Sequence, residues 1–448
     1  MINGEPYIPD QIAEEEPSMH QSAAVSVMDA RTGLVIYENN QHEFMYPASI
    51  TKIMTALLVI EEVENLQEDL VFSEHAVLSL PVYASRMHMA PGDVISVYEA
   101  LYGLMLPSGN EVANALAEHV SGSVEAFVAQ MNRRAAELGA RNTRFINPCG
   151  LPGYNQHTTA YDMALIMREA INHPVFNRII STPSFFVAPT ESHPYGLPMQ
   201  NTNLMIWHGE FYNPLIVGGK TGFTNAARHT LVSYAREDDI GLIVSVLYAP
   251  RTATFTDTTA LLDYVLSLPQ VTIFEGANYS WSVPVIQEVD NEAIDLGAVT
   301  VGVNNGVNDG VNNRVNENNI RIPAPPDMPD IRRELVIPDT LAPPVRRGDQ
   351  VGYKNFYAGD TLIYQIELVS MNTILPQMIM PTIHPEPSPV LNFTFLPFFA
   401  FISVITIILM GTLSIMVRRH RRVMRRRRRK MARVRYARYG DARYGGVE

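Results

Sequence analysis

Residues 393–417, FTFLPFFAFISVITIILMGTLSIMV, run for 25 positions without a charged side chain. At ~1.5 Å per helical residue such a run is long enough for a tilted crossing of a ~30 Å hydrocarbon layer, and too long for an ordinary buried helix. A basic tail that begins RRHRRVMRRRRRK follows at once. Positive charge flush against an apolar span sets topology and meets anionic lipid, so the C-terminus is expected in the cytoplasm and residues 1–392 outside it. The same placement argues against the arginines as a nucleic-acid site, and no nucleic-acid partner is expected.

The charge balance supports this division. Residues 418–448 hold 14 Lys or Arg against 2 acids, a balance of +12, within a 448-residue chain of net charge −12. The other 417 residues therefore hold 20 bases and 44 acids, a balance of −24. An acidic folded body with a basic tail is the reading. The N-terminal MINGEPYIPDQIAEEEPSM has no basic and apolar export signal, so a signal peptide is expected to be missing from this sequence. The single cysteine, Cys149, excludes an internal disulfide.

Patterning organises the body. AAVSVMDARTGLVIYE, residues 23–38, reads as two strands around a turn. Helices are expected from Ser49, over 97–122 with a break at Pro107 to Gly109, and over 124–139 and 158–173. Three strands, 215–224, 229–237 and 240–249, and a helix over 258–268 complete an α+β domain whose sheet joins both ends of its sequence. Residues 302–317 repeat GVNN, GVND, GVNN, RVNE, too polar and glycine-rich for a core. The expected units are 20–272, an α+β domain; 273–331, a junction with the Asn/Gly/Pro-rich insert; 332–370, a small β-rich domain; 371–390, a Pro-rich linker; 391–417, a transmembrane helix in contact with membrane lipid; and 418–448, the cytoplasmic tail.

PASITKIMT, residues 47–55, places Ser49 one helical turn before Lys52, which suits a nucleophile beside its own base. Ser108-Gly109-Asn110 falls on the break between two helices, and Lys220-Thr221-Gly222 on an expected strand. Each tripeptide alone is common. Together and in this order they resemble the signature of penicillin-recognising serine enzymes. Lys52 could take the Ser49 proton if burial and a second cation such as Lys220 depress its ammonium. Ser108 is suited to relay a proton to a leaving amine, and Asn110 to orient Lys52 and a substrate amide. Gly222 leaves an acyl-peptide free to lie along the strand edge. The Ser49 N–H and a strand amide after Gly222 are expected to face the tetrahedral oxyanion.

Beyond the tripeptides, LPSGNEVANALAEHVSGS, FINPCGLP, HTTAYDMALIM and GGKTGFT make residues 20–270 similar to the D-alanyl-D-alanine carboxypeptidases of the low-molecular-mass penicillin-binding protein family. LAPPVRRGDQVG makes 332–370 resemble that family's small C-terminal β domain. The resemblance implies a transpeptidase-like α+β fold, an antiparallel sheet with a helical subdomain. It also implies removal of the terminal D-alanine from peptidoglycan stem pentapeptides through a Ser49 acyl-enzyme, and covalent inhibition by β-lactams. It makes Ser49, Lys52, Ser108 and Asn110 catalytic, and Lys220, Thr221, Gly222 and Arg251 substrate-binding, with Arg251 on the terminal carboxylate. The enzyme is then expected on the outer face of a bacterial cytoplasmic membrane.

Cys149 departs from the pattern, since the family commonly has histidine there; a packed thiol is the simpler reading. The asparagine-rich insert and the full span with its arginine tail depart as well. No metal or cofactor is expected, because the 12 histidines lack ligand spacing and no phosphate loop is present. Alternatives left open are a non-catalytic penicillin-binding sensor or wall scaffold, a DD-endopeptidase and a β-lactamase. The last is disfavoured because residues 145–162 offer no glutamate to activate water.

Overall fold

A chain with strands at both ends and helices between them forms one sheet only if its ends meet. They meet in the computed structural model, which describes residues 20–189, 192–275, 280–289, 292–303 and 319–377. The first hairpin is β1 (Ala24–Asp29) and β2 (Val35–Asn39). A 3-10 turn, Ala48–Thr51, then runs into α1 (Lys52–Glu62). The helical lobe adds α2 (Glu74–Leu78), α3 (Val97–Met105), α4 (Asn110–Ser121), α5 (Val124–Glu137), α6 (Ala160–Ala170) and α7 (Pro174–Ile180). Two short antiparallel pairs flank it, β3 (Asp69–Val71) with β4 (Val94–Ser96) and β5 (Ser184–Val187) with β6 (Leu197–Gln200). The chain returns through β7 (Ile216–Thr224), β8 (Arg228–Glu237), β9 (Ile240–Ala249) and α8 (Ala253–Ser267). The antiparallel sheet runs β2-β1-β9-β8-β7, which leaves β7 at an edge.

The central strands read as continuous apolar runs because both their faces are covered. Ala24 and Met28 of β1, with Ile243 and Leu247 of β9, join the core of the helical lobe. Val25, Val27, Leu242, Val244 and Val246 point the other way and pack with Leu261, Leu262 and Val265 of α8. Helix α1 is buried on every side from Lys52 to Val59, and all of that stretch except Lys52 and Thr55 is apolar. The break between α3 and α4 is enforced by backbone and space. Ser108 takes φ +66°, and a Cβ on Gly109 would lie 2.7 Å from Val112 Cγ2.

Several expectations shift. Ser49 lies in the 3-10 turn, three residues before α1 begins. The helix expected over 258–268 starts at Ala253, because Ala253 and Phe255 find a core. The larger correction concerns 273–331, expected as a junction. It supplies β11 (Ser280–Val289), β12 (Glu292–Val303) and β13 (Asn319–Pro323), just after β10 (Gln270–Glu275). With β14 (Ile331–Val336), β15 (Gln350–Ala358) and β16 (Thr361–Ser370), these form a five-stranded sheet β11-β12-β16-β15-β14 and a pair β10-β13. Val283, Val285, Val299 and Val301 alternate inward onto Phe356, Ile366 and Leu368. Alternation of valines outweighed the polar composition around them. The repeat from 304 to 317, the linker from 378, the 391–417 span and the tail lie outside the described residues. Among the described residues, no helix is long and apolar enough to cross a membrane.

Candidate active site

The turn that carries Ser49 is held in a strained shape from three sides. Ala48 takes φ +49°, a left-handed conformation that is unfavourable for a residue with a side chain. The Pro47 carbonyl accepts from Thr230 Oγ1 of β8 at 3.1 Å. From the edge strand β7, Gly222 comes so close that a Cβ there would sit 2.8 Å from the Ser49 nitrogen. From below, Gly150 (φ +90°) approaches until a Cβ would overlap the Ala48 carbonyl at 1.8 Å. Both glycines are explained by close approach to this one turn.

Lys52 is 0 % exposed, and its Nζ has three partners. It lies 3.1 Å from Ser49 Oγ, 2.6 Å from Asn110 Oδ1 and 2.8 Å from the Cys149 carbonyl. The two carbonyl oxygens can only accept. A neutral amine has two N–H bonds and one lone pair, so satisfying both carbonyls turns the lone pair to the only partner that can donate, the Ser49 hydroxyl. Burial pushes the Lys52 ammonium down to about 8. Burial also pushes the Cys149 thiol up, so it stays a neutral thiol near neutrality. Lys220, 1 % exposed on β7, is held well below the ordinary ammonium range by burial and then by the charge of Lys52. Its Nζ donates to the Thr221 carbonyl at 2.9 Å.

The remaining expected residues line one open cleft of about 970 Å³. Ser49, Ser108, Asn110, Thr221, Gly222 and Arg251 all contribute to its wall. Ser108 Oγ is buried and meets no hydrogen-bond partner among the described residues. Thr221 Oγ1 lies 2.5 Å from Thr202 Oγ1. Arg251 is exposed, and its charge, after partial burial, helps to push the neighbouring His229 down. Thus the eight residues selected in the sequence converge, six on the cleft surface and two lysines buried behind it.

Asn147 was passed over in the sequence. Its Oδ1 accepts from the N–H groups of Cys149, Gly150 and Leu151 at 3.3, 2.7 and 3.1 Å, and from the Cys149 thiol at 3.3 Å. Its Nδ2 donates to the Leu151 carbonyl at 2.7 Å. That closes the NPCGL turn, which aims the Cys149 carbonyl at Lys52 and seats Gly150 on Ala48. An asparagine three residues before a glycine is a turn signal of this kind. Glu111 and Thr230, also internal to the site, carried no comparable signal.

Comparison with known proteins agrees with this geometry. The family model described as D-alanyl-D-alanine carboxypeptidase, peptidase family S11, matches residues 10–251. D-alanyl-D-alanine carboxypeptidase DacF of Bacillus subtilis is 29% identical over 339 residues, covering 74% of this chain and 80% of that protein. D-alanyl-D-alanine endopeptidase of Escherichia coli is 30% identical over 269 residues, 58% of this chain and 84% of that protein. The solved structure of penicillin binding protein 5 from Haemophilus influenzae covers 81% of this chain and 100% of its own at a TM-score of 0.58, and at 24% identity it speaks to the fold alone. With the motifs in one cleft and the family model spanning more than half the chain, this protein belongs to the peptidase S11 family of D-alanyl-D-alanine carboxypeptidases.

Proposed function

We propose that the protein is a serine D-Ala-D-Ala carboxypeptidase that removes the terminal D-alanine from peptidoglycan stem pentapeptides, with Ser49 as nucleophile and Lys52 as its base. The observation that carries this reading is the three-partner environment of Lys52 Nζ, in which only the Ser49 hydroxyl can give a proton. Ser49 Oγ attacks the carbonyl carbon of the penultimate D-alanine and its proton passes to Lys52. The oxyanion faces the Ser49 N–H and an amide of β7. Collapse expels the terminal D-alanine, whose amine takes a proton relayed through the Ser108 hydroxyl. Water then hydrolyses the ester. Arg251, the fixed cation on the cleft wall, pairs with the terminal carboxylate of the peptide. Thr221 and Gly222 grip the peptide along the free edge of β7, and Lys220 supports that strand from behind through the Thr221 carbonyl.

Similarity to an endopeptidase favours one further activity of the same acyl-enzyme, cleavage of D-Ala bonds inside cross-links. β-Lactams, which present a strained amide to the same serine, are the covalent inhibitors of this reading. The catalytic body spans about residues 20–272 and the C-terminal sheet follows it. The 391–417 run anchors both in the cytoplasmic membrane with the site outside and the arginine tail inside. The test incubates the full chain and its Ser49→Ala variant with a peptide ending in D-Ala-D-Ala and, separately, with labelled penicillin. Wild type is expected to release D-alanine and to retain the label, and the variant to do neither. Rapid penicillin turnover would instead indicate a β-lactamase, and labelling without peptide cleavage a sensor.

A further inference from the structure

Large apolar side chains left in water call for an explanation when they gather on the wall of one cleft. Tyr83 is 82 % exposed, Phe223 52 % and Leu204 44 %, and all three line the cleft that holds Ser49. Each stands on backbone that is held in place. Phe223 follows Gly222 on β7, shares the strand face of Thr221, and lays its ring 4.5 Å from that of His229 on β8. Leu204 opens a 3-10 turn, Leu204–Ile206, which Asn203 caps by accepting from the Met205 N–H at 3.1 Å. The contact of Thr202 with Thr221 sets that turn beside β7. Tyr83 belongs to the Asn110 side of the cleft, where the Ser85 carbonyl accepts from the Asn110 N–H at 2.9 Å. Its loop is fastened by Arg86, whose guanidinium donates to the Val77 and Leu80 carbonyls at 2.8 and 3.0 Å. Glu111 Oε1 fastens the residues that follow, accepting from the N–H groups of His88 and Met89 at 2.8 and 3.4 Å. An aromatic ring held out into a catalytic cleft on a fastened loop is placed for a ligand.

We propose that Tyr83, Leu204 and Phe223 are specificity-determining residues that receive an extended, uncharged side chain on the residue before D-Ala-D-Ala. The inference rests on the carboxypeptidase reading and deepens it. Size and charge choose the occupant. Arg251 is the one fixed charge on the cleft wall among the described residues, and it is assigned to the terminal carboxylate. The methyl groups of two D-alanines are too small to cover three large side chains, so the residue upstream supplies the apolar surface. An arm of methylenes that ends in an amide can lie against these side chains and leave its amide in water. The same arm with a free ammonium brings a strongly hydrated charge to a wall that holds Arg251 and, among the described residues, no carboxylate. Ring faces at an exposed site are a weak substitute for that anion. The chain is therefore expected to favour a stem peptide whose side-chain amine is already acylated.

The experiment measures D-alanine release by the full chain at neutral pH from two peptides, Nα,Nε-diacetyl-Lys-D-Ala-D-Ala and Nα-acetyl-Lys-D-Ala-D-Ala. Wild type is expected to show kcat/KM about tenfold higher for the diacetyl peptide. Tyr83→Ala is expected to lower that ratio about threefold. Leu204→Glu sets a carboxylate on the wall for the free ammonium and is expected to bring the ratio to about one. A wild-type ratio of one, or a preference for the free amine, would overturn the proposal. So would a ratio that neither substitution moves. If one variant does not fold, the wild-type ratio and the other variant decide. Release from neither peptide would refute the carboxypeptidase reading and this inference with it, whereas equal release from both refutes the inference alone.

Discussion

Lys52 is set apart by full burial and by two carbonyl partners that can only accept. Burial brings its ammonium from the ordinary lysine range to about 8, and the two carbonyls of Asn110 and Cys149 claim its N–H bonds in the neutral form. With Lys52 as the proposed base, the reactive species is its neutral amine, which gains population as pH rises. Acylation is therefore expected to increase with pH through about 8 and level off above it; a plateau that begins well below neutrality would contradict Lys52 as the base. Gly222 makes a second prediction at this scale. A methyl group at 2.8 Å from the Ser49 nitrogen must push strand and turn apart, and it sits where an oxyanion donor is needed. Gly222→Ala is expected to slow acylation about a hundredfold and to lower the melting temperature, since the methyl group also meets Thr230 Oγ1 at 2.5 Å, as stopped-flow labelling and thermal unfolding would record.

At the scale of elements, the site is a meeting of one turn, one loop and one strand edge. The loop is the least obvious part. Asn147 replaces the backbone partners that a four-residue turn lacks, and through it the Cys149 carbonyl reaches Lys52 at 2.8 Å. Asn147→Ala is expected to lower the acylation rate at least about tenfold with little change in the initial, non-covalent binding of a β-lactam; a loss confined to that binding would count against the positioning role. The sequence made α1, the α3–α4 break and β7 to β9 legible because apolar period and turn residues agree there. It also made the converging residues legible, since three short motifs each fell on a helix start, a break or an edge. What stayed hidden was set by tertiary approach. Gly150 is required by the Ala48 carbonyl, and Glu111 meets the backbone N–H groups of His88 and Met89, neighbours distant in sequence. The valine alternation of β11 and β12 was masked by asparagine and glycine around it, and the 3-10 geometry at Ser49 is a local detail that helical periodicity does not encode.

On the scale of the whole molecule, an acidic body carries a cleft whose wall includes Arg251 and backs onto two buried lysines. The Arg251 charge on its wall suits a peptide that ends in a carboxylate. The 25-residue apolar run and the +12 tail are the proposed membrane anchor. Full-length protein is expected to sediment with anionic lipid vesicles, whereas a chain ended at residue 377 stays in the supernatant; equal partitioning of the two would remove the anchor. The central claim is that a turn, a loop and a strand edge make one alcohol the nucleophile. Peptide mapping of the protein after reaction with penicillin tests it most directly. The account predicts a single penicilloyl adduct on Ser49, lost in Lys52→Ala, and an adduct on any other side chain would contradict it.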